Sequence, residues 1–148
     1  MQTLILTTGQ LVETVRALDG TELTPGLLAK WASSGLVVPS VKFPQRRGRY
    51  NGRVYNLSDL ARVRLVVRLR ASGVTAPQVR LILAYLDTEL REVMRPKTTA
   101  SLVYDGRRAY VVRPGQPAVD VPTGQLRLKL DGCVTGNERA AREAQRSA

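Results

Sequence analysis

The chain has 148 residues, a length that suits one compact domain or a small domain with an accessory module. It contains no histidine and one cysteine, Cys133, which excludes a Cys/His metal site and a disulfide within the chain. The missing histidine also removes the usual general base, so we expect no enzyme, no metal and no cofactor.

Membrane and export signals are absent from the sequence pattern. The first residues, MQTLILTTGQ, lack the basic lead and long apolar run of a signal peptide. No run approaches the roughly 20 apolar residues that a membrane-spanning helix needs. We therefore expect a soluble cytoplasmic protein with no membrane partner.

Two short helices are predicted at the start of the chain. Thr7 and Gln10 have the spacing of a capping box, and Gly20 follows as the breaker that ends the first helix. Thr24 is the predicted N-cap of the second helix, with Pro25 at its first position. We expect the buried face of this second helix to consist of Leu27, Leu28 and Trp31. Two short helices joined by a turn form a candidate helix-turn-helix.

A basic stretch follows, KFPQRRGRYNGRVY at residues 42–55, and it contains no carboxylate. Asn51-Gly52 is a strong hairpin signal between residues that favour strands, so we expect a basic hairpin, or wing, after the helix-turn-helix. Residues 41–70 hold nine basic residues and one acidic residue, which is most of the net charge of +11. Charge concentrated in this way indicates a surface that binds a polyanion.

Two longer helices are predicted next. Asn56 caps the third helix, which Gly73 ends, and the capping box of Thr75 and Gln78 begins a fourth helix that ends before Pro96. An apolar stripe on the fourth helix suits either an intramolecular core or a dimer interface. This stripe consists of Val79, Ile82, Leu83, Leu86, Leu90, Val93 and Met94.

From Thr99 the apolar pattern alternates, and SLVY, AYVV, AVDV and QLRLKL read as short strands of a β-meander. The polar end of the chain suits either a frayed tail or a short helix from Asn137. The predicted fold class is α+β, with a DNA-binding region at 1–96, a β-module for dimerisation or partner binding at 97–131, and a flexible tail at 132–148.

A spaced set of residues matches a known pattern over roughly residues 8–94. The matching positions are Gly9, Leu11, Trp31, Gly35, Leu36, Pro39, Arg53, Tyr55, Asp59, Leu60, Leu69 and Gly73. In this order of helices, basic wing and helices, the chain resembles the DNA-binding domain of the MerR family of bacterial transcription regulators. The resemblance implies a winged helix-turn-helix of four helices that inserts its second helix into the major groove, clamps the backbone with its wing and acts as a dimer. The chain departs from the family in turning to β structure after Pro96, where the family has a long dimerisation helix.

The predicted DNA contacts combine charge with position in this motif. They are Thr24, Lys30, Lys42, Arg46, Arg47, Arg49, Tyr50, Arg53, Tyr55 and Arg62. Basic residues of the wing suit phosphates, and a tyrosine hydroxyl suits the backbone, although Tyr55 is equally suited to the core. Arg62 and Arg64 either extend the basic surface or belong to a solvated helix face.

These observations predict a MerR-type transcription regulator that binds double-stranded DNA at a pseudo-palindromic operator as a homodimer, located with the bacterial nucleoid. Two alternatives remain open at this point. One is an architectural or excisionase-like accessory factor that bends DNA. The other is an antitoxin-like autoregulator that binds a protein partner through its β-module.

Overall fold

The computed structural model describes residues 4–20, 23–39, 53–95, 97–113 and 126–146. In chain order, its elements are β1 (Leu6–Thr7), α1 (Thr8–Asp19), α2 (Pro25–Ser33), β2 (Val54–Tyr55), α3 (Leu57–Ala71), α4 (Ala76–Val93), β3 (Ser101–Tyr104), β4 (Ala109–Val112), β5 (Leu126–Lys129), α5 (Asp131–Val134) and α6 (Asn137–Arg146). The described part is thus a mixture of helices and small antiparallel sheets, with more helices than the four that were predicted. The predicted hairpin turn at Asn51-Gly52 and the predicted strand AVDV lie outside the described residues.

The chain divides into two compact units. Unit 1 comprises Met1–Val67 together with Gly136–Ala148, and unit 2 comprises Arg68–Thr135. This division differs from the predicted boundary after residue 96, because α4 packs against β4 and so groups with the sheet.

The predicted helix starts are confirmed. The Thr7 hydroxyl accepts a hydrogen bond from the Gln10 amide at 3.2 Å, and the Gln10 side chain accepts one from the Thr7 amide at 3.0 Å. The same capping box joins Thr75 and Gln78 at the start of α4. At α3, Asn56 caps the amide of Asp59 at 2.9 Å. These bonds satisfy amides that the first helical turn leaves without an internal partner.

The core of unit 1 lies where α1, α2, β1 and β2 meet. The two strands pair antiparallel, with Leu6 opposite Tyr55 and Thr7 opposite Val54. This pairing fixes the chain that leaves the basic stretch against the segment that begins α1. Trp31 is 8% exposed and packs inward, as predicted. The other large side chains of this core are Leu6, Leu11, Val15, Leu28, Val37, Tyr55 and Leu60.

Of the two possibilities for the polar end of the chain, the structure has the helix: α6 begins at Asn137 and packs against α1. Asn137, Ala141 and Ala144 recur at helical spacing and are all buried, and such small residues allow two helices to approach closely. Near its end, the Gln145 side-chain amide donates to the carbonyl of Ile5 at 2.6 Å. Because most residues of this segment are polar, the narrow buried stripe is difficult to recognise in the sequence.

Unit 2 joins α4 to a three-stranded antiparallel sheet. The strand order is β4-β3-β5, so β3 is central and pairs with both other strands, and the described strands do not form the predicted meander of consecutive neighbours. Asp105 and Gly106 lie in the turn between β3 and β4: Gly106 has a φ of 93°, and the Asp105 carboxylate accepts the amides of Arg107 and Arg108 at 2.7 and 2.6 Å. Six of the seven residues of the apolar stripe on α4 are buried, so the stripe belongs to the intramolecular core.

Candidate nucleic-acid interface

Helix α2 has a buried face and an exposed face. Leu28 and Trp31 are buried, whereas Thr24, Leu27 and Lys30 recur at intervals of three residues and are exposed. The prediction that Leu27 is buried is therefore wrong, since at 37% exposed it lies about 100° around the helix from Leu28. Leu27 is three residues from both Thr24 and Lys30, and this helical spacing could have identified it from the sequence as part of the exposed face.

The N-terminus of α2 is set by Thr24, which accepts the Leu27 amide at 3.1 Å and is exposed. At the opposite end, the Arg53 guanidinium donates to the Ser33 hydroxyl at 3.4 Å, and both residues are exposed. Arg53 immediately precedes β2, so the pairing of β1 with β2 supports its position beside α2. Sequence reasoning did not identify Ser33 as its partner, because the two residues are 20 positions apart. We call Thr24, Leu27, Lys30, Ser33 and Arg53 the α2 surface.

Tyr55 is fully buried, which corrects its assignment as a DNA contact. Among the described residues, its hydroxyl has no partner with full hydrogen-bond geometry. Burial raises the pKa of Tyr55 above its usual 10.0, and the nearby Thr8 side chain offsets only part of this effect. The ring fills the core between β2 and its neighbours, so this position is structural.

Arg64 is also structural, although the sequence left open whether it extends the basic surface. It is 3% exposed, and its guanidinium binds both carboxylate oxygens of Asp19, at 2.9 and 3.0 Å. A third bond runs from Arg64 to the Asn137 side-chain oxygen at 2.6 Å. This buried network joins the end of α1, the middle of α3 and the start of α6. Arg64 is therefore not one of the basic residues that are available to a ligand.

Five of the predicted contacts lie outside the described residues: Lys42, Arg46, Arg47, Arg49 and Tyr50. Their contacts with DNA stay predictions, as does that of Arg62, which is half-buried on α3. Of the other predicted contacts, Thr24 caps α2, Lys30 lies within α2, and Arg53 contacts the end of α2 through Ser33.

The comparison with known families agrees with this arrangement. Residues 17–86 match the MerR HTH family of regulatory proteins, a range that includes α2, α3 and most of α4. The chain contains a MerR-family helix-turn-helix domain. This match over residues 17–86 supports a DNA-binding regulatory protein as the general class. Among curated proteins, none matches the chain significantly.

The MerR match stops before the sheet of unit 2 and before α6. The contact of α6 with α3, through Asn137 and Arg64, thus lies partly outside the matched range. Within the described residues, no group of three histidine, cysteine or acidic side chains could hold a metal ion. No helix in that same part of the chain has the length and apolar character to cross a membrane.

Proposed function

We propose that this MerR-domain protein is a sequence-specific transcription regulator that binds a pseudo-palindromic operator as a homodimer. In this proposal, α2 enters the major groove and the basic stretch of residues 42–55 binds the flanking phosphates. The observation that carries the proposal is the α2 surface, in which exposed Lys30 lies on the same short helix whose end binds Arg53.

The dimensions of α2 support insertion into DNA. Its nine residues give a length of about 13 Å, and the major groove is about 12 Å wide. Leu28 and Trp31 attach one side to the core, whereas Lys30, near the middle of the helix, is exposed. Lysine donates to guanine acceptors at the base edges, and Leu27 offers an apolar contact for a thymine methyl group.

The charge distribution supports phosphate binding next to α2. Between residues 41 and 70 there are nine basic residues and one acidic residue, and of the basic ones Arg64 is occupied internally by Asp19. Arg53 and the basic residues before it in sequence are the proposed phosphate contacts. If about four to eight phosphates are neutralised per protomer, log K should fall with log salt at a slope of about −4 to −7.

Replacing Lys30 tests the readout. Genome-wide mapping of bound fragments gives the cognate site, and binding of wild type and Lys30→Ala is then titrated on cognate and scrambled duplexes. We expect the variant to lose about five- to 100-fold on the cognate duplex and much less on the scrambled one, because a base contact contributes about 1–3 kcal/mol of discrimination.

Arg139→Ala, at an exposed position of α6, is the matched control and should leave both affinities unchanged. Equal losses on both duplexes with Lys30→Ala would contradict base readout by α2. A salt-independent affinity would contradict the basic surface.

The positions of the mapped sites separate the regulator from its rivals. A single operator at a promoter supports regulation. Tandem sites at an attachment region would instead indicate an architectural or excisionase-like factor. Co-purification of a small toxin-like protein, bound through the sheet of unit 2, would indicate the antitoxin-like autoregulator.

A further inference from the structure

The three-stranded sheet of unit 2 carries basic side chains on one of its two faces. Residues directly opposite each other in an antiparallel sheet share a face, and side chains along a strand alternate between the faces. Val103 of the central strand lies opposite both Tyr110 and Arg127. Alternation adds Lys129, two residues after Arg127, and Arg108, two residues before Tyr110. We call Arg108, Tyr110, Arg127 and Lys129 the sheet face.

The opposite face of the sheet is apolar. It consists of Leu102, Tyr104, Ala109, Val111, Leu126 and Leu128. These side chains are buried or half-buried, whereas all four residues of the sheet face are exposed. On the basic side, Ser101 and Val103 of the central strand are buried, and the exposed residues flank them on the outer strands. The sheet face is therefore the side of the sheet that carries exposed charge.

The described sheet and its turn have an excess of positive charge. Residues 101–113 and 126–129 hold five basic residues and one acidic residue, Asp105. The Asp105 carboxylate accepts the amides of Arg107 and Arg108, so these bonds fix the turn at which both arginine side chains are exposed. Positive charge concentrated on an exposed surface attracts a polyanion, because each contact with a phosphate releases condensed counterions.

The spacing of these cations suits a nucleic-acid backbone. Arg127 and Lys129 are two residues apart on β5, so their Cα atoms are about 7 Å apart. Over about 7 Å of its axis, each strand of a DNA duplex presents about two phosphates. Arg108 adds a third cation from the other side of the sheet, since β4 lies about 10 Å from β5 with β3 between them. The sheet face can thus contact several phosphates at once.

The aromatic content of the sheet face favours a duplex over a single strand. Proteins that bind single strands stack successive bases on aromatic side chains. The sheet face contains one aromatic residue, Tyr110, which is 40% exposed. A tyrosine hydroxyl and basic side chains both contact phosphates without reading bases. The chemistry of this surface therefore fits the backbone of double-stranded DNA.

We propose that the sheet face binds the phosphate backbone of double-stranded DNA, as a second and sequence-independent contact in addition to that of the α2 surface. The sheet lies outside residues 17–86, so this contact is not part of the matched MerR domain. The inference rests on the proposed function only in its choice of duplex DNA. A chain that holds a duplex through one surface presents its second surface to that duplex at a high effective concentration.

A double substitution on β5 tests the contact in the full chain. Arg127→Ser with Lys129→Ser removes two cations from exposed positions. Fluorescence anisotropy at several salt concentrations measures the affinity for cognate and scrambled duplexes. We expect both affinities to fall by the same factor, about 10- to 100-fold near 0.1 M salt. The salt slope should decrease in magnitude by about 1.8, as for two phosphate contacts.

Arg80→Ser with Arg139→Ser is the matched control. Both arginines are exposed and lie on helices outside the sheet, and the control removes the same number of charges. It should leave the salt slope close to that of wild type, and urea denaturation should show that both double variants keep the wild-type stability. If the β5 variant binds DNA like this control but aggregates, the charges protect the outer strands from pairing with other chains, and the inference is overturned.

Protection of individual lysines in the wild-type protein tests the contact without any substitution. The chain has four lysines: Lys30, Lys42, Lys97 and Lys129. After reaction with an amine-directed reagent, mass spectrometry gives the reactivity of each lysine with and without duplex DNA. Lys129 reports on the sheet face, and we expect duplex DNA to slow its reaction several-fold. Equal protection of Lys129 by polyglutamate, or stronger protection by single-stranded DNA, would overturn the choice of partner.

The same measurement separates this inference from the proposed function, because Lys30 and Lys42 report on the proposed contacts of α2 and the wing. Protection of Lys30 and Lys42 with an unchanged Lys129 overturns the sheet contact and leaves the proposed function intact. Protection of Lys129 with unchanged Lys30 and Lys42 supports the sheet contact and contradicts DNA binding through α2 and the wing.

Discussion

Arg53 and Arg64 belong to the same basic block, eleven residues apart, and differ in almost every physical respect. Arg53 is exposed and has one long hydrogen bond, 3.4 Å to Ser33. Arg64 is 3% exposed and makes three bonds of 2.6 to 3.0 Å to Asp19 and Asn137. A count of charges treats the two alike, yet only Arg53 is available to a polyanion.

The energetic consequences of losing each residue follow from burial. An exposed cation is hydrated and contributes little to folding, so its removal affects a ligand more than the fold. A buried ion pair contributes less than its short distances suggest, but removing one partner leaves the other charge without compensation. Replacing Arg64 should therefore mainly lower stability, whereas replacing Arg53 should mainly lower DNA affinity.

Arg64→Ala should have the largest effect. We expect the free energy of unfolding to fall by about 3–5 kcal/mol, because the buried Asp19 carboxylate loses the arginine that binds both its oxygens. Urea denaturation followed by circular dichroism measures the change. Arg16→Ala, an exposed arginine of α1, is the control and should remain within about 0.5 kcal/mol of wild type.

The double variant Arg64→Met with Asp19→Leu sharpens this result. It removes both charges while filling the space, so it should recover most of the stability that Arg64→Ala loses. A loss below about 1 kcal/mol for Arg64→Ala would show that the network does not hold α6 in place.

Arg53→Ala should reverse the pattern. We expect DNA affinity to fall about tenfold on every sequence and the salt slope to decrease in magnitude by about 0.9, as for one phosphate contact. The free energy of unfolding should change by less than about 0.5 kcal/mol. Fluorescence anisotropy at several salt concentrations measures the DNA affinity and its salt slope, with Arg139→Ala as the exposed control. An unchanged affinity would remove Arg53 from the proposed interface.

Tyr55→Phe should have the smallest effect at neutral pH, with unchanged DNA affinity and nearly unchanged stability, because its buried hydroxyl contributes no well-formed bond. The folded-state pKa of Tyr55 is raised above 10.0, so the folded state holds this proton more tightly than the unfolded state. Its contribution to stability is full below pH 10 and is lost as the pH rises through the folded-state pKa.

Urea denaturation across the alkaline range checks this effect. Wild type should lose more stability than Tyr55→Phe above about pH 10. Tyr110→Phe, at an exposed position of β4, is the control for removal of a tyrosine hydroxyl. If Tyr55→Phe instead lost DNA affinity without losing stability, that result would support the contact between Tyr55 and the DNA backbone that its burial argues against.

Local patterns in this sequence predict local structure well. Thr7 with Gln10, and Thr75 with Gln78, form their capping boxes because the interacting groups are three residues apart and the helix fixes their geometry. The helical apolar stripe of α4 is equally local. The general family follows from such short spaced motifs, and the match over residues 17–86 confirms it.

Long-range partners could not be predicted in the same way. Asp19 and Asn137 are 45 and 73 residues from Arg64, and no pattern between them specifies that three polar side chains meet. The central position of β3 depends likewise on which strands meet in space. For the α2 surface, the sequence identifies Thr24, Lys30 and Arg53, while the Arg53–Ser33 contact requires the tertiary fold.

The return of α6 to α1 has a consequence for biosynthesis. Unit 1 is interrupted in sequence by the whole of unit 2, so its two pieces leave the ribosome at different times. At about 5–20 residues per second, the roughly 70 residues between these pieces take about 3–14 seconds to translate. During that interval Arg64 and Asp19 have been translated, whereas Asn137, another partner of Arg64 in the complete chain, has not. A translation product that ends before α6 therefore lacks one of the two pieces of unit 1 and the Asn137 contact with Arg64.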